Sequence, residues 1–329
     1  MRAVVITRAG GPEVLEIQER PTPTPGPNEL LVRVHASALN RADLLQRQGH
    51  YPAPHGAPAD IPGLEFAGEV AGVGSDVTDW REGDRVFGIV AGGGNAEYLV
   101  TDAQTVARVP SHFSWADAAS IPEAFITAHD ALVVQAGVAP GERVLIHAVG
   151  SGVGLAATQL ARAWYAVPYG TARHREKIDR ARLLGLEDGI VVANDVEIIP
   201  AAVERWSGKK GIDVTLDLVG GPYLGASIRA SAHKGRIMVI GTVAGRSGEI
   251  PIGMVLGKRL TVRGTVLRAR SVEEKRAATA AFVRDVLPLL ENGAVQPTID
   301  STFALADIAA AHERLASNLT AGKVVILSS

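Results

Sequence analysis

The chain has 329 residues, 47% of them hydrophobic and 21% charged, a length that exceeds one usual hydrophobic core and predicts two domains. The formal net charge of −2, without a long run of Lys and Arg, argues against nucleic-acid binding as the main role. The absence of cysteine excludes disulfides, thiolate zinc sites, iron–sulfur clusters and a cysteine nucleophile.

The N-terminal part of the chain alternates short apolar runs with turns rich in Gly and Pro. Met1–Ile6 predicts a strand and is too short and too quickly interrupted for a signal peptide, so we expect a cytoplasmic protein. Leu30–Val34 and Glu69–Val73 predict further strands. Short strands separated by such turns are typical of an antiparallel, barrel-like domain, which we expect to span residues 1–122. No apolar stretch is long enough to cross a bilayer.

From residue 123 the pattern changes to alternating strands and helices. The predicted strands are 143–148, 166–172, 190–192, 214–219 and 236–240, and the predicted helices are 152–164, 175–184, 198–206 and 223–232. Alternation at this spacing indicates βαβ units and a parallel, doubly wound sheet. We expect this α/β domain to span residues 123–264.

The C-terminal pattern differs again and permits two interpretations. A long helix is predicted over residues 272–292, a shorter one over 305–316, and a strand over 323–327. This segment, 265–329, forms either a third small unit or a return that completes the first domain. The residue pattern alone leaves both possibilities open.

A glycine-rich turn, Ala148–Gly154, lies between a predicted strand and a predicted helix. Glycines there let the backbone approach a pyrophosphate closely, and the N–H groups that begin the helix bind its charge. The spacing departs from G-x-G-x-x-G, so a tight turn without a ligand is the alternative. We predict a dinucleotide site whose turn contacts come from Gly150, Ser151, Gly152 and Val153.

The end of the second predicted strand indicates which dinucleotide binds. NAD-selective folds usually carry an acidic residue there for the ribose hydroxyls. Gly170–Arg173 contains no acid, and Arg173 and Lys177 supply cations that suit a 2′-phosphate. We therefore expect NADPH, with Gly170, Thr171, Arg173 and Lys177 in its site. The alternative is that both cations are solvated helix charges.

Several motifs together resemble the zinc-independent quinone oxidoreductases of the medium-chain dehydrogenase/reductase superfamily, closest to the type induced by the mammalian tumour-suppressor response and its bacterial relatives. The motifs are Asn40–Pro52, Pro62–Val70, Gly83–Val86, Ala118–Ala124, Leu145–Ala148 and Gly322–Val325. The resemblance implies a GroES-like, mainly β catalytic domain, an inserted Rossmann domain, and a C-terminal return to the first domain. It also implies a homodimer or homotetramer.

The resemblance includes two departures from the zinc-dependent relatives. Those proteins place Cys and His at the positions that correspond to Asn40 and Leu64. Because leucine cannot ligate a metal, we expect no metal in this chain. A third departure is Tyr165, which occupies a helix-to-strand turn where the family usually has a glycine with positive φ.

The resemblance also implies roles for individual residues. We expect Asn40, Asp43 and Thr127 near the nicotinamide, and Tyr51 as a hydrogen-bond donor to a quinone oxygen. Tyr51, Asn40 and Asp43 are the predicted catalytic residues; packing for Tyr51, a helix N-terminal charge for Asp43 and a helix cap for Thr127 are the alternatives. Further predicted cofactor contacts are Gly220, Gly241, Val243, Leu267, Arg268, Asn318 and Lys323.

The predicted function is hydride transfer from NADPH to a small-molecule quinone, without metal, nucleic acid or membrane as partner. One alternative is reduction of an activated C=C bond in an enone or enoyl thioester. Another is a protein that holds NADPH without turnover, which would be favoured if Tyr51 faced the core. No G-x-S-x-G elbow or H-E-x-x-H motif supports a hydrolase or metalloprotease.

Overall fold

The computed structural model describes residues 1–193 and 195–328. They form two units, one made of Met1–Ile126 with the chain from Leu267 onward, and one made of Thr127–Val266. The C-terminal segment thus belongs to the same unit as the N-terminal segment. The predicted boundaries lie a few residues from these, and the catalytic and cofactor-binding roles of the units stay predictions. Within the described residues, no helix is long and apolar enough to span a membrane.

The N-terminal segment of the first unit is mainly β. Its strands are β1 (Arg2–Ile6), β2 (Leu15–Glu19), β3 (Glu29–Leu39), β4 (Glu65–Val73), β5 (Arg85–Ile89), β6 (Tyr98–Asp102) and β7 (Val106–Arg108), and its helices are α1 (Arg41–Arg47), α2 (Trp115–Ala119) and the first part of α3 (Pro122–His129), whose last three residues belong to the second unit. Strand β3 alternates buried Leu30, Val32 and Val34 with less buried neighbours, as a strand with one buried face does. These side chains pack on Phe66 and Val86.

The second unit contains a six-stranded parallel sheet. Its strands are β8 (Arg143–Ile146), β9 (Val167–Ala172), β10 (Asp188–Val191), β11 (Ile212–Asp217), β12 (Ser231–Val239) and β13 (Thr261–Gly264), and its helices are α4 (Gly152–Ala163), α5 (Arg175–Arg182), α6 (Ile198–Ser207), α7 (Pro222–Ala230) and α8 (Ile252–Lys258). The order β10-β9-β8-β11-β12-β13 is that of a dinucleotide-binding doubly wound sheet. The predicted parallel sheet is confirmed, and its strand order reverses between β8 and β11.

The C-terminal segment adds α9 (Val272–Asp285), α10 (Leu287–Glu291), β14 (Ile299–Ala304), α11 (Ile308–Ala316) and β15 (Lys323–Leu327). Strand β15 pairs antiparallel with β3 and parallel with β14. The prediction of one helix over residues 272–292 was wrong, because the helix breaks at Val286, where φ is −110°. Pro288, in the first turn of α10, has no N–H to continue the hydrogen-bond ladder of α9.

Tyr165 has the left-handed conformation that a glycine normally adopts after a helix, with φ of 57°. Its N–H donates to the Arg162 carbonyl at 2.9 Å, and the N–H of Ala166 donates to the Ala161 carbonyl at 2.8 Å. This pair of bonds is the Schellman arrangement, and a side chain in its left-handed position costs about 1 kcal/mol or more. The Tyr165 side chain is 79% exposed and recovers little of that cost by packing.

We expect Tyr165→Gly to stabilise the protein by about 0.5–1 kcal/mol, because the steric cost that glycine removes exceeds the entropy that it adds to the unfolded chain. Calorimetry should show a higher Tm. The matched control is Leu183→Gly, since Leu183 is similarly exposed, at 78%, but already has a right-handed φ of −62°. A Tm that falls equally in both variants would contradict the strain at Tyr165.

Candidate active site

The glycine-rich turn of the second unit joins β8 to α4 at the position where the strand order reverses. Ser151 is the N-cap of α4, and its Oγ accepts a hydrogen bond from the Gly154 N–H at 3.1 Å. A Cβ on Gly154 would lie 2.6 Å from the carbonyl oxygens of Ala148 and Val149, so only glycine fits there. Ser151 thus uses its oxygen to cap the helix and keeps its hydroxyl proton to donate.

Lys177, on α5, lies directly over this turn. A Cβ on Gly150 would be 2.6 Å from the Lys177 Cβ and 2.9 Å from its Cδ. The absence of a side chain at Gly150 therefore lets the alkyl stem of Lys177 cross the turn. At the neighbouring strand, a Cβ on Gly170 would meet the Val149 side chain at 2.8 Å, so Gly170 serves close packing of β9 against the turn.

The other predicted residue at the end of β9 points inward. Thr171 is 1% exposed, and its Oγ1 is 2.9 Å from Nδ1 of the buried His147. His147 Nε2 lies 2.8 Å from Ser227 Oγ, whose own proton goes to the Tyr223 carbonyl at 2.8 Å. His147 therefore carries its proton on Nε2 and accepts from Thr171. Burial lowers the pKa of His147, which keeps this neutral arrangement.

His147 was not among the predicted site residues. His147 directly follows the buried strand β8. Its contacts with Thr171 on β9 and Ser227 on α7 are between residues distant in sequence, so only the fold shows them. Arg173 is exposed at the end of β9, and its charge acts on the phenol of Tyr223, whose pKa is raised by burial. Arg173 and Tyr223 therefore lie at the same end of the sheet.

Other predicted contacts in this unit have distinct environments. Thr127 is 8% exposed, and its Oγ1 has no hydrogen-bond partner among the described residues, although a helical threonine usually bonds a carbonyl one turn back. Gly220 packs on the loop after β12, where a Cβ would lie 2.8 Å from the Gly241 carbonyl oxygen. Gly220 and Gly241 thus allow the loop after β11 and the loop after β12 to pack closely. Val243, in the second of these loops, is 54% exposed.

In the first unit, Asn40 and Asp43 form a capping box at the start of α1. The Asn40 N–H donates to Asp43 Oδ2 at 2.7 Å, and the Gly63 N–H donates to Oδ1 at 3.0 Å. Asp43 is completely buried, and burial raises its pKa to about 6. Asp43 therefore caps the N-terminus of α1, as the alternative interpretation expected. Its catalytic role stays a prediction.

Next to this box, Lys323 holds Glu65 and Asn40 together. Its Nζ lies 2.5 Å from Glu65 Oε1, 2.6 Å from Asn40 Oδ1 and 3.1 Å from the Leu39 carbonyl oxygen. Asn40 Nδ2 donates back to Glu65 Oε1 at 2.8 Å. Both charged residues are nearly inaccessible, at 4% for Lys323 and 0% for Glu65. The ammonium thus fixes which way the Asn40 amide points.

Arg268 organises the loop that carries Tyr51. Its guanidinium donates to the Ala91 carbonyl at 2.8 Å, to the Tyr51 carbonyl at 3.3 Å and to Gln46 Oε1 at 2.6 Å. The same group lies over the Tyr51 ring, 5.0 Å from its centroid. Burial raises the pKa of Tyr51, and the nearby Arg268 charge partly opposes this shift. Tyr51 keeps some exposed surface, so it does not face the core.

Two residues that were not predicted from the sequence, Glu65 and Glu123, complete this cluster. Glu65 accepts the N–H of Glu123 on Oε2 at 2.8 Å, which anchors the first turn of α3. Burial, and next the charge of Glu65, raise the pKa of Glu123 to about 7. Glu65 and Glu123 each lie in a motif of the resemblance, but they are 58 residues apart, so the sequence does not show that they meet. We name the group Asn40, Asp43, Tyr51, Glu65, Glu123, Arg268 and Lys323 the polar cluster.

The remaining predicted residues of this unit lie elsewhere or are packed. Leu267 is 5% exposed and Leu64 is 2% exposed, so both side chains are packed. Asn318 follows α11 with φ of 59° and accepts a hydrogen bond from Arg41 at 2.6 Å, so it helps to end that helix. Residues 1–193 and 195–328 hold no group of three or more His, Cys, Asp or Glu arranged for a metal ion.

Two family models match the chain. The alcohol dehydrogenase GroES-like domain matches residues 26–111, in the first unit, and a zinc-binding dehydrogenase model matches residues 192–326. The chain is 32% identical to the quinone oxidoreductases of Lama guanicoe and Homo sapiens, over 99% of its length and 97% and 98% of theirs. A part covering 68% of the chain is 39% identical to 6% of the polyketide synthase component PikAII of Streptomyces venezuelae.

Solved structures are similar over nearly the whole chain. A Pseudomonas syringae quinone oxidoreductase superimposes with a TM-score of 0.89 at 28% identity, covering 99% of both chains. A mycobacterial protein solved with NADPH gives 0.89 at 27% identity, covering 100% of both. The CurK enoyl reductase gives 0.88 at 27% identity, covering 99% of this chain and 98% of that one.

Proposed function

Since the chain belongs to the medium-chain dehydrogenase/reductase superfamily, we propose that it is a zinc-free, NADPH-dependent reductase of quinones. The proposal rests on two features of the chain. One is the glycine-rich turn after β8, which the stem of Lys177 crosses, and the other is the phenol of Tyr51, over whose ring the Arg268 guanidinium lies. The quinone oxidoreductase relatives support the acceptor class. A cytoplasmic location is part of the same proposal.

The residues of the second unit fit a dinucleotide. Helix α4 begins at this turn with its N-terminal dipole, and the tight turn that Gly154 permits sets its first N–H groups there. Lys177, whose stem crosses the turn at Gly150, and Arg173 would hold a 2′-phosphate. The unpartnered hydroxyl of Thr127 would bond the carboxamide or a ribose hydroxyl. When bound, the dinucleotide supplies a hydride.

The residues of the first unit orient and stabilise the acceptor in this proposal. Tyr51 donates a hydrogen bond to a quinone oxygen as negative charge develops there. Arg268 fixes the Tyr51 ring and adds positive charge beside it. The partial exposure of Tyr51 supports turnover rather than storage of the dinucleotide. No metal ligand is needed, because the phenol and guanidinium provide the electrophilic groups.

Steady-state oxidation of NADPH with 1,4-benzoquinone, 9,10-phenanthrenequinone, 2-cyclohexenone and crotonyl-CoA tests the proposal. We expect turnover with at least one quinone at a higher kcat/KM than with the enone or the thioester. Absence of turnover with both quinones would refute it.

Reduction of an activated C=C bond is the second candidate function. It is favoured by the 39% identity to a polyketide synthase component over two thirds of the chain and by the fold of the CurK enoyl reductase. The same hydride and the same phenol serve an enolate in place of a quinone oxyanion. Turnover of crotonyl-CoA above both quinones would support this candidate.

The edge of the parallel sheet supports a homodimer. Strand β13 is the last strand of the sheet, and all four of its residues are exposed. Val262 of this strand is 40% exposed, and Ile252 at 74% and Leu256 at 79% lie on α8, which precedes the strand in the chain. An open strand edge with an apolar flank is suited to pair with another strand, and a second copy of the chain offers one.

We expect the double variant Leu256→Lys and Val262→Lys to be monomeric, because each substitution would bury a charge in the contact. Analytical ultracentrifugation measures the mass of the particle. Leu319→Lys is the control, since Leu319 is 57% exposed in the first unit. An unchanged mass in the double variant would place the interface elsewhere.

A further inference from the structure

The side chain of Gln46, on α1, joins two parts of the chain that lie near Tyr51. It is 6% exposed and makes two hydrogen bonds: Oε1 accepts from Arg268 Nη2 at 2.6 Å, and Nε2 donates to the Ala59 carbonyl at 3.2 Å. A reversed amide would place its NH2 group against the guanidinium, donor against donor, so Arg268 determines which way the Gln46 amide points. Gln46 therefore connects Arg268 to Ala59.

Residues 51–59, which we name the Tyr51 loop, are held at both ends by Gln46 and Arg268. Arg268 Nη1 donates to the Tyr51 carbonyl at 3.3 Å at one end, and Gln46 binds the Ala59 carbonyl at the other. Between these ends, three prolines fix the backbone φ angle at their positions. Because the loop is short and partly rigid, the position of the Tyr51 phenol depends on both anchors.

Arg268 is held by three acceptors that are all uncharged. They are Gln46 Oε1 and the carbonyl oxygens of Tyr51 and Ala91. The guanidinium carbon lies 5.0 Å from the centroid of the Tyr51 ring, and Arg268 is only 5% exposed. Since an amide oxygen carries no net charge, Gln46 fixes the guanidinium without cancelling its positive charge beside the phenol.

We propose that Gln46 is a positioning residue for Tyr51, an inference that rests on the proposed reductase function. Through Arg268, Gln46 determines where the phenol ring lies, and through Ala59 it holds the far end of the Tyr51 loop. Its effect on turnover passes through the phenol, so Gln46 needs no contact with the acceptor or the dinucleotide.

Hydrogen exchange of the free protein tests the two anchors without dinucleotide or acceptor. Gln46→Met keeps the length of the side chain but removes both hydrogen bonds, so amide exchange in the Tyr51 loop should become about 5–10-fold faster. Strands β3 and β4 should exchange as in the wild type. Gln48→Met is the matched control, because Gln48 is exposed two residues further along, and it should leave exchange in the loop unchanged. Unchanged exchange in Gln46→Met would overturn the proposal.

Gln46→Glu separates the two anchors and also serves if Gln46→Met does not fold. The carboxylate retains an acceptor for Arg268 but has no N–H to donate to Ala59. Exchange should therefore become faster at residues 57–60 and stay close to the wild-type rate at residues 51–53. Equally faster exchange at both ends would contradict the anchor through Arg268.

A double-mutant cycle with Tyr51→Phe tests the consequence for turnover, measured with NADPH and the best quinone or enone. In the wild-type background, Gln46→Met should lower kcat about 10–100-fold because the phenol is misplaced, with little change in the KM for NADPH. In the Tyr51→Phe background, the same substitution should change kcat less than about 2-fold, since no hydroxyl remains to be placed. Equal losses in both backgrounds would indicate a general structural defect and refute the role of Gln46.

The two measurements separate the two proposals. A wild type that turns over no acceptor refutes the reductase function, whereas the exchange rates still decide whether Gln46 holds the Tyr51 loop. A wild type that turns over a quinone, combined with equal losses in the two backgrounds, refutes only the role of Gln46.

Discussion

Replacing Lys323 by methionine should destabilise the first unit by about 3–5 kcal/mol, the cost of leaving a buried charge without its partner. Glu65 is fully buried, and its Oε1 lies 2.5 Å from the Lys323 ammonium. Methionine has nearly the same stem but no charge, so the loss would come from the ion pair and its hydrogen bonds. Thermal or urea unfolding measures it.

The double variant Lys323→Met and Glu65→Gln separates the charge effect from packing. Glu65→Gln removes the unpaired charge but leaves one acceptor oxygen, which can serve either Asn40 Nδ2 or the Glu123 N–H, so part of the stability should return. Arg81→Met is the surface control, because Arg81 is 89% exposed and its ion pair with Asp84 is worth less than about 1 kcal/mol. A double variant as unstable as Lys323→Met would show that the loss is due to packing.

The elements with strong periodicity were predictable from the sequence, and those without it were not. The buried parallel strands and the helices between them follow from apolar runs at regular spacing. Strand β13 is exposed at every position and so carries no such signal. Pro288 marks the break between α9 and α10. From the sequence alone, a proline in the first turn of a second helix cannot be distinguished from a proline that kinks one long helix.

Candidate site residues could be named from the sequence where local chemistry defines them, and their roles stay predictions. The turn at Gly150 and the cations Arg173 and Lys177 follow from residues close together in the chain. The polar cluster does not, because Glu65, Glu123 and Lys323 are far apart in sequence and meet only through β4, α3 and β15. Lys323 was predicted as a cofactor contact by resemblance, whereas the structure shows its ammonium bound to Glu65 and Asn40.

Lys177→Met should weaken NADPH binding about 10–100-fold, because a hydrogen bond to a charged phosphate contributes roughly 1.5–3 kcal/mol. Binding of NADH, which lacks the 2′-phosphate, should be unchanged. Fluorescence titration of both dinucleotides gives the two Kd values. Adding Arg173→Met should weaken NADPH binding further and reduce its dependence on salt.

Methionine is the informative substitution because the stem of Lys177 packs over the turn at Gly150, where a Cβ would lie 2.6 Å from the Lys177 Cβ. The Lys177→Met variant would retain that packing and lose only the ammonium. Arg180→Met, one turn later on α5 and exposed, controls for a general loss of positive charge. An equal loss of affinity for NADPH and NADH would mean that Lys177 supports the turn but does not bind the 2′-phosphate. A loss confined to NADPH, absent in Arg180→Met, would assign the 2′-phosphate to Lys177.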